Sequence, residues 1–226
     1  MITKLPRWVE VGGFWLASIA GAVNAIGLLG FKHQAVSHVS GTSTLLGLSL
    51  VDQDASQSLH LFLILVSFML GAALSGAIID NAVLRLGHRY SFALVLEGTL
   101  LLMAMVSLSQ GSDSGHLLAS AACGLQNGMV TTFSGAVVRT THLTGLFTDL
   151  GTMLGARLRG RPLDTRKAML YLLLISGFIL GGSLGAYSFE ILQFTSLIIP
   201  AAGALALAVV YWVYGYLGIK NKRPVY

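Results

Sequence analysis

The sequence has one cysteine, four prolines and few charged side chains. Cys123 cannot form an intramolecular disulfide alone, so neither a disulfide framework nor a thiolate metal centre is expected, and the chain predicts no bound metal or cofactor. Charged residues make up 10% of the chain, against about 25% in a typical soluble domain. These shortages argue against a soluble, charge-covered globule.

Apolar side chains dominate instead. They make up 54% of the sequence, and the mean hydropathy is +0.76. A bilayer core of about 30 Å needs roughly 20 apolar residues to be crossed as a helix, and six runs approach or exceed that length. They cover residues 9–30, 59–79, 91–109, 117–138, 169–188 and 194–217. The sequence therefore predicts an all-α polytopic membrane protein.

The chain contains an internal duplication. Residues 37–47 (SHVSGTSTLLG) return 104 positions later as residues 141–151 (THLTGLFTDLG), with five of eleven positions identical. The match extends to Asn24 and Asn127 and to the segments 68–71 and 178–181. A period this long indicates two fused halves, since solenoid repeats have periods of about 20–50 residues. We expect the halves to cover residues 1–111 and 112–226.

The repeated motif lies in two shorter, more polar stretches, 36–51 and 142–156. If both cross the membrane, the 14 basic residues divide 10 to 4 between its two sides; if both enter and return, they divide 13 to 1. Basic residues are retained in cytoplasmic loops. The sequence therefore predicts six full spans with both termini in the cytoplasm.

Three spans per half imply opposite insertion of the two halves. A duplicated unit with an odd number of crossings enters the membrane the second time upside down, which produces inverted repeats. The expected fold is thus two inverted repeats, each of three transmembrane helices plus one re-entrant or short broken helix.

The composition of the motif suits a re-entrant segment. Non-helical backbone at membrane depth must be buried in protein or line a wet cavity. Glycine permits tight backbone geometry, and hydroxyls can cap helix ends. With helices starting near Ser40 and Thr144, two positive N-terminal ends would face the middle of the membrane. The residues expected to serve in these roles are Gly41, Gly145, Ser40, Thr42, Thr144 and Thr148.

Polar side chains within apolar segments complete the candidate site, because they are costly in hydrocarbon and usually functional. The predicted substrate-binding residues are Asn24, His38, Ser40, Thr42, Asn127, His142, Thr144 and Asp149. Proton coupling is assigned to Glu97, Asp149 and His142. His142 and Asp149 lie two helical turns apart and can face one cavity.

Structural roles compete with each of these assignments. Asn24 and Asn127 can serve only as hydrogen-bonding ties between helices. The motif histidines can hold loop carbonyls, and Glu97 can be a buried carboxylate bonded to neighbouring hydroxyls. These alternatives stay open at the level of the sequence.

The basic balance of the chain has two interpretations. The isoelectric point near 9.6 and the cluster Arg157, Arg159, Arg161, Arg166 and Lys167 are compatible with nucleic-acid binding. A cytoplasmic loop held by positive charge and anionic lipid explains them more simply. Membrane lipids are therefore the expected partners, and nucleic acid is not.

Three motifs carry a resemblance to a known family. They are the S-H-V-S-G-T run at 37–42, the G-L-Q-N-G run at 124–128 and the V-R-T-T-H-L-T-G run at 138–145. With Asn24 in a first helix, the chain resembles the YoaK family of small bacterial membrane proteins over nearly its whole length. The resemblance implies a bacterial inner-membrane location and supplies no substrate.

The leading functional hypothesis is a transporter or channel for a small polar or anionic solute, with its path between the two halves. A passive scaffold would not need a duplicated polar motif, although a non-transporting scaffold remains an alternative. An intramembrane enzyme of the Ser/His hydrolase type is another, since Ser40 and His38 are neighbours. A homodimer is also plausible for so short a chain.

Topology can be tested by single cysteines in a Cys123-free background. We expect cysteines at Asp54, Asp113 and Glu190 to react with an impermeant thiol reagent in intact cells, and cysteines at Arg85 and Arg159 to be shielded. Labelling at Arg85 without labelling at Asp54 and Asp113 would contradict six spans.

Overall fold

The computed structural model describes residues 7–30, 34, 36–79, 88–134 and 139–220. This part of the chain is helical and contains no strand. Its elements in chain order are α1 (Arg7–Gly30), α2 (Val39–Val51), α3 (Ala55–Ile78), α4 (His88–Ser109), α5 (Ser114–Ser134), α6 (Leu143–Leu158), α7 (Thr165–Leu192), a 3-10 turn (Gln193–Leu197) and α8 (Ile198–Lys220).

Six long helices occupy the six predicted runs, and the two motif stretches form the short helices α2 and α6. At 1.5 Å per residue, α2 with 13 residues is about 20 Å long and α6 with 16 residues is about 24 Å long. Both are shorter than a bilayer core of about 30 Å. Residues 135–138, which the sequence assigns to the fourth run, lie outside the described residues.

Two long helices begin four residues before the apolar runs that predict them. Asp54 accepts a hydrogen bond from the Gln57 amide at 3.0 Å, and Asp164 accepts one from the Lys167 amide at 3.0 Å. A carboxylate cap satisfies an amide that the helix itself leaves unpaired. A search for apolar runs does not detect polar first turns of this kind, so it places the start of these helices too late.

Four helical stretches in the described part are long and apolar enough to cross a membrane: Glu10–Gly30, Ala55–Ile78, His88–Ser109 and Thr165–Tyr216. The last contains both α7 and α8. Helix α5 is of similar length but carries His116, Gln126 and Asn127, which lower its hydropathy. It packs against α3 and α4 in the interior. The chain is thus an all-helical membrane protein with several spans.

The first and third helices of the two predicted halves exchange partners. Helix α1 packs along α7, and α5 packs along α3. In α1 and α7, Gly177 lies against Phe14 and Gly181 against Ser18, so the two helices run parallel. Glycine at these positions lets the backbones approach closely.

Helices α3 and α5 are parallel in the same way. Ser120 donates a hydrogen bond to the Ile64 carbonyl at 2.9 Å, and one turn later Gly124 lies against the Phe68 backbone. The matching positions increase together along both helices. The first helix of each predicted half therefore packs against the third helix of the other.

The remaining contacts are antiparallel. In the α4 and α8 pair, Leu94 shares a hydrophobic cluster with Ala208, and Leu101 shares one with Leu197. In the α4 and α5 pair, Gly115 lies against Leu108. Helices α1 and α8 are also antiparallel, because their contacts run in opposite order. It follows that α1, α4 and α7 run in one direction and α3, α5 and α8 in the other.

The buried apolar side chains form two clusters at different depths. One includes Leu94 and Met129, and the other includes Leu101 and Cys123. On α4 and α5 the polar residues Glu97 and Gln126 fall between these cluster positions. On these two helices a hydrogen-bonded polar pair thus lies between the two apolar clusters.

We expect Gly124→Ala to destabilise the protein by about 1–3 kcal/mol, as overpacking typically does, because the added Cβ would overlap the Phe68 carbonyl oxygen. Thermal unfolding in detergent, followed by intrinsic fluorescence, measures the change. Gly76→Ala is the matched control, since Gly76 lies in α3 with no atom within 4 Å of an added Cβ. Equal unfolding temperatures for both variants would contradict the close contact.

Candidate functional site

The two short helices begin at equivalent places in the repeated motif. Helix α2 starts at Val39 with His38 as its N-cap residue, and α6 starts at Leu143 with His142 as its N-cap residue. Neither imidazole makes a capping hydrogen bond, and both side chains are exposed. Each motif thus places an imidazole at the positive end of a short helix.

The glycine three residues after each histidine gives the imidazole its space. A Cβ added at Gly41 would lie 2.6 Å from His38 Nδ1, and one at Gly145 would lie 2.5 Å from His142 Nε2. Each ring therefore lies over the first turn of its own helix. Both glycines lie inside helices without a positive φ, so the backbone freedom expected from the sequence is not used there. The contact with the imidazole gives a physical reason for the shared H-x-x-G pattern instead.

Asn24 ties the chain before α2 to α1. Its Oδ1 accepts hydrogen bonds from Ser37 Oγ at 2.8 Å and from the Ser37 amide at 3.3 Å. Asn24 lies six residues before the end of α1, which is about 9 Å along the helix. The chain after α1 therefore returns to the level of Asn24 before α2 begins.

Asn127 makes the corresponding contact in the second half. Its Nδ2 donates to Thr141 Oγ1, and Thr141 is the repeat equivalent of Ser37. Asn24 and Asn127 are both half-buried. The two asparagines thus hold the two motifs at equivalent positions, with Asn24 accepting the hydrogen bonds and Asn127 donating one.

The motif hydroxyls do not cap the short helices, and that expectation was wrong. Thr42 Oγ1 donates to the His38 carbonyl at 3.2 Å, and Thr148 Oγ1 donates to the Thr144 carbonyl at 2.8 Å. Threonine in a helix commonly bonds to the carbonyl four residues earlier. Ser40 and Thr144 lie in the first turns and are exposed, while Thr42 is buried.

Glu97 lies in a buried chain of hydrogen bonds. Gln126 Nε2 donates to Glu97 Oε1 at 2.9 Å, and Gln126 Oε1 accepts from Thr140 Oγ1 at 2.9 Å. The exposed fractions are 2%, 1% and 1% for Glu97, Gln126 and Thr140. This chain connects α4, through α5, to the residues just before α6.

The second carboxylate oxygen of Glu97 has no hydrogen-bond partner in the described part of the protein. A buried polar atom without a partner is costly and points to a functional group or an absent ligand. The sequence patterns did not indicate Gln126 and Thr140 as site residues. Each directly precedes a residue matched between the repeats, Asn127 or Thr141, and this position in the chain is the one signal that could have found them.

Asp149 meets a partner on the neighbouring long helix. Its Oδ2 accepts a hydrogen bond from Tyr171 Oη at 2.8 Å, and Lys167 lies 5.5 Å from the Tyr171 ring centre. The aspartate is half-buried, whereas His142 at the start of the same helix is exposed. Asp149 therefore helps to fix α6 on α7.

The structure groups the predicted residues around two separate anchors. Asn24 joins the chain just before His38, and Asn127 joins the chain just before His142. Helix α2 packs on α3, and α6 packs on α7. Glu97 connects to the second anchor through Gln126 and Thr140.

The fold and these anchors define an all-helical polytopic membrane protein with paired short helices. The family described as "Protein of unknown function (DUF1275)" matches residues 12–210, and the chain belongs to that family. No curated protein and no solved structure matches the chain.

A double-mutant cycle tests the first anchor. We expect Asn24→Ala and Ser37→Ala each to destabilise the protein by about 0.6 kcal/mol, a typical value for a hydrogen bond between membrane helices. Because both changes remove the same interaction, the double variant should cost less than the sum. Thermal unfolding in detergent provides the measurement. Full additivity would show that the two side chains do not interact.

Proposed function

We propose that the protein is a transporter or channel for a small polar or anionic solute. The observation that carries the proposal is the pair of equivalent anchors, in which Asn24 and Asn127 hold the starts of two short helices beside long ones. The path would run between the halves, lined by the motif residues His38, His142, Ser40, Thr42, Thr144 and Asp149.

The proposal includes inverted repeats and six crossings. Its support is the direction of the helices. Helices α1 and α4 run opposite to their repeat equivalents α5 and α8, and α3 runs opposite to its equivalent α7. Each short helix runs antiparallel to the long helix that follows it, so it starts at depth and ends at a surface. Many transporters with inverted repeats bind their substrates near such interrupted helices.

The proposed orientation places both termini in the cytoplasm of a bacterium, with the protein in the inner membrane. The basic residues between α6 and α7 would then face the cytoplasm, in accord with the positive-inside rule. Asp52, Asp54, Asp113 and Glu190 would lie outside. We also propose that the chain is a YoaK-type protein, on the basis of the three motifs quoted in the sequence analysis.

The expected solute class follows from the helix ends. The first amides of a helix are not bonded within it and point outward, and the helix dipole adds positive potential. The exposed imidazoles of His38 and His142 can donate further hydrogen bonds. An anionic or polar uncharged solute is therefore favoured over a cation at these two ends.

Glu97 is the proposed coupling group. It is buried, its Oε2 is unpartnered among the described residues, and its Oε1 is bonded through Gln126 to Thr140. Uptake or release of a proton at Glu97 would alter this chain and so act on the start of α6. Ionisable residues inside membrane segments commonly serve in proton relays.

The hydrolase alternative receives less support. Serine hydrolysis needs a hydroxyl bonded to a base, and the described residues show no hydrogen bond between Ser40 and either motif histidine. A scaffold without transport stays the second alternative, and it accounts for the asparagine ties without assigning any role to the exposed histidines.

Transport is tested with purified protein in proteoliposomes and a panel of small polar and anionic solutes. We expect solute-dependent uptake that falls at least tenfold in the His38→Ala/His142→Ala variant, because both helix-end donors are lost. His88→Ala is the control, since this histidine begins α4 outside the motifs. Uptake unchanged in a variant lacking both histidines and both asparagines would refute the site assignment.

Proton coupling has its own test in the same vesicles. Glu97→Gln should abolish the dependence of uptake on an imposed pH gradient while solute exchange continues. The glutamine amide can still accept the hydrogen bond from Gln126, but it cannot take up or release a proton. An unchanged gradient dependence would remove Glu97 from the coupling mechanism.

A further inference from the structure

An apolar groove of about 360 Å³ lies on the surface of the helical bundle. Its lining comes from α1, α7 and α8, and both α7 and α8 pack on α1. Ile19 and Ala22 of α1 are buried there, whereas Leu184 of α7 and Val210 of α8 are exposed. Helix α1 is thus the floor of a groove that opens between α7 and α8. None of its described lining residues lies within the repeated motif, 37–47 or 141–151.

The lining of the groove suits an apolar occupant. It contains no charged side chain among the described residues, and its hydroxyl groups are those of Ser18 and Ser188. Ser18 Oγ donates to the Phe14 carbonyl at 2.9 Å, and Ser188 Oγ donates to the Gly185 carbonyl at 2.9 Å. Both hydroxyl protons are therefore used within their own helices. A polar ligand would give up its bonds to water and gain few in return.

The groove continues along the bundle as a longer path. A second apolar groove of about 300 Å³ shares Trp15 and Val210 with the first and extends to Tyr214. On α8 the joined path runs from Ile199 to Tyr214, which is about 22 Å at 1.5 Å per residue. An extended alkyl chain advances about 1.3 Å per carbon, so the path has the length of roughly 17 carbons.

The first groove is too narrow for another helix. Its lining on α8 ends at Val210, about 16 Å from Ile199, so its volume corresponds to a cross-section of about 22 Å². A helix with its side chains is about 10 Å across or more, with a cross-section on the order of 80 Å². An alkyl chain, whose carbons contact their neighbours at about 4 Å, needs on the order of 13 Å². One alkyl chain therefore fits, and a helix of a second copy does not.

The groove lies where the two predicted halves differ. Helices α1, α7 and α8 are the repeat equivalents of α5, α3 and α4. Helix α4 packs extensively along α5, with Gly115 against Leu108, whereas α8 makes a smaller contact with α1. More of α1 is therefore left uncovered by α8 than of α5 by α4. The groove is a feature of this one helix pair and does not follow from the repeat.

One end of the path has the features of a headgroup site. Tyr211 and Tyr214 line it, near the end of the apolar stretch that closes at Tyr216. Tyrosine is enriched where hydrocarbon meets lipid headgroups. Because α7 and α8 are antiparallel, α7 begins at this same end, directly after the segment with the exposed Arg159 and Arg161. Basic residues at a membrane surface favour anionic lipids.

We propose that the groove binds one acyl chain of an anionic phospholipid, with the headgroup at the Tyr214 end. Lipid is the medium around α1, α7 and α8, because these helices lie within Glu10–Gly30 and Thr165–Tyr216, which are long and apolar enough to cross a membrane. The narrow path holds a single chain between two helices and over a third. The site is separate from the proposed solute path and does not depend on whether the protein transports anything.

Quenching of Trp15 tests the site in the whole protein, with Trp8 and Trp212 replaced by phenylalanine. The protein in dodecyl maltoside is titrated with phosphatidylglycerol that carries bromine in the middle of its acyl chains. Because bromine quenches an indole that it touches, at about 4 Å, we expect Trp15 fluorescence to fall about twofold and to saturate at about one lipid per protein. Unbrominated phosphatidylglycerol should reverse the quenching at a lower concentration than phosphatidylcholine. Equal competition would overturn the assignment of an anionic headgroup.

Two matched pairs of variants locate the chain. Ala206→Phe places a ring in the groove and should remove saturable quenching, whereas Ala202→Phe, at an exposed position of α8 outside the lining, should preserve it. Leu184→Ala should weaken binding about fourfold, the loss expected for about one buried CH₂. Leu180→Ala is its control, since Leu180 is exposed on the same helix outside the lining. Equal quenching within both pairs, at unchanged unfolding temperatures, would overturn the proposal.

A cysteine in the groove tests the competing occupant, a second copy of this chain. Ala206→Cys in the Cys123-free protein is treated with a short thiol cross-linker in native membranes. We expect the chain to stay monomeric, because a lipid chain and not a second helix covers position 206. A cross-linked dimer would place a second copy over the groove and overturn the proposal.

Discussion

The structure depends on hydrogen bonds that keep two stretches of chain folded back against long helices. Backbone within a membrane needs partners for its amides and carbonyls, and only regular helices supply them all internally. Asn24 accepts the Ser37 amide of the first stretch, and Asn127 holds the second stretch through the Thr141 hydroxyl, each from the face of a long helix. With those ties in place, each short helix starts beside the long helix that carries its asparagine.

Comparison of the two repeated motifs shows which contacts both have and which only one has. Both halves have the asparagine tie and the imidazole packed on a glycine. Glu97 and Gln126 have no such symmetry, since their buried chain reaches only the second motif. The common features tie down both motifs, whereas the asymmetric chain joins a buried carboxyl group to the second motif alone.

The sequence predicted the helical class, the six long helices and the two short ones, because apolar length and the repeat are local signals. It also selected both asparagines as candidate site residues, but it did not identify the side chains that they contact. Glu97 and Gln126 are 29 residues apart, and His60 and His116 are 56 apart. Such pairs arise from helix packing, which no short pattern in a single sequence encodes. The starts of α3 and α7 were placed too late for a different reason, because their capped first turns are polar.

The exchange of helix partners between the halves has a consequence for biogenesis. Helix α1 packs along α7, the seventh helix to leave the ribosome. During synthesis α1 must therefore remain in the bilayer, or against the insertion machinery, with its glycine-rich face uncovered until nearly the whole chain has been made. Assembly of the bundle is a late event in the life of the nascent chain, and a truncated first half would be left with an unsatisfied surface.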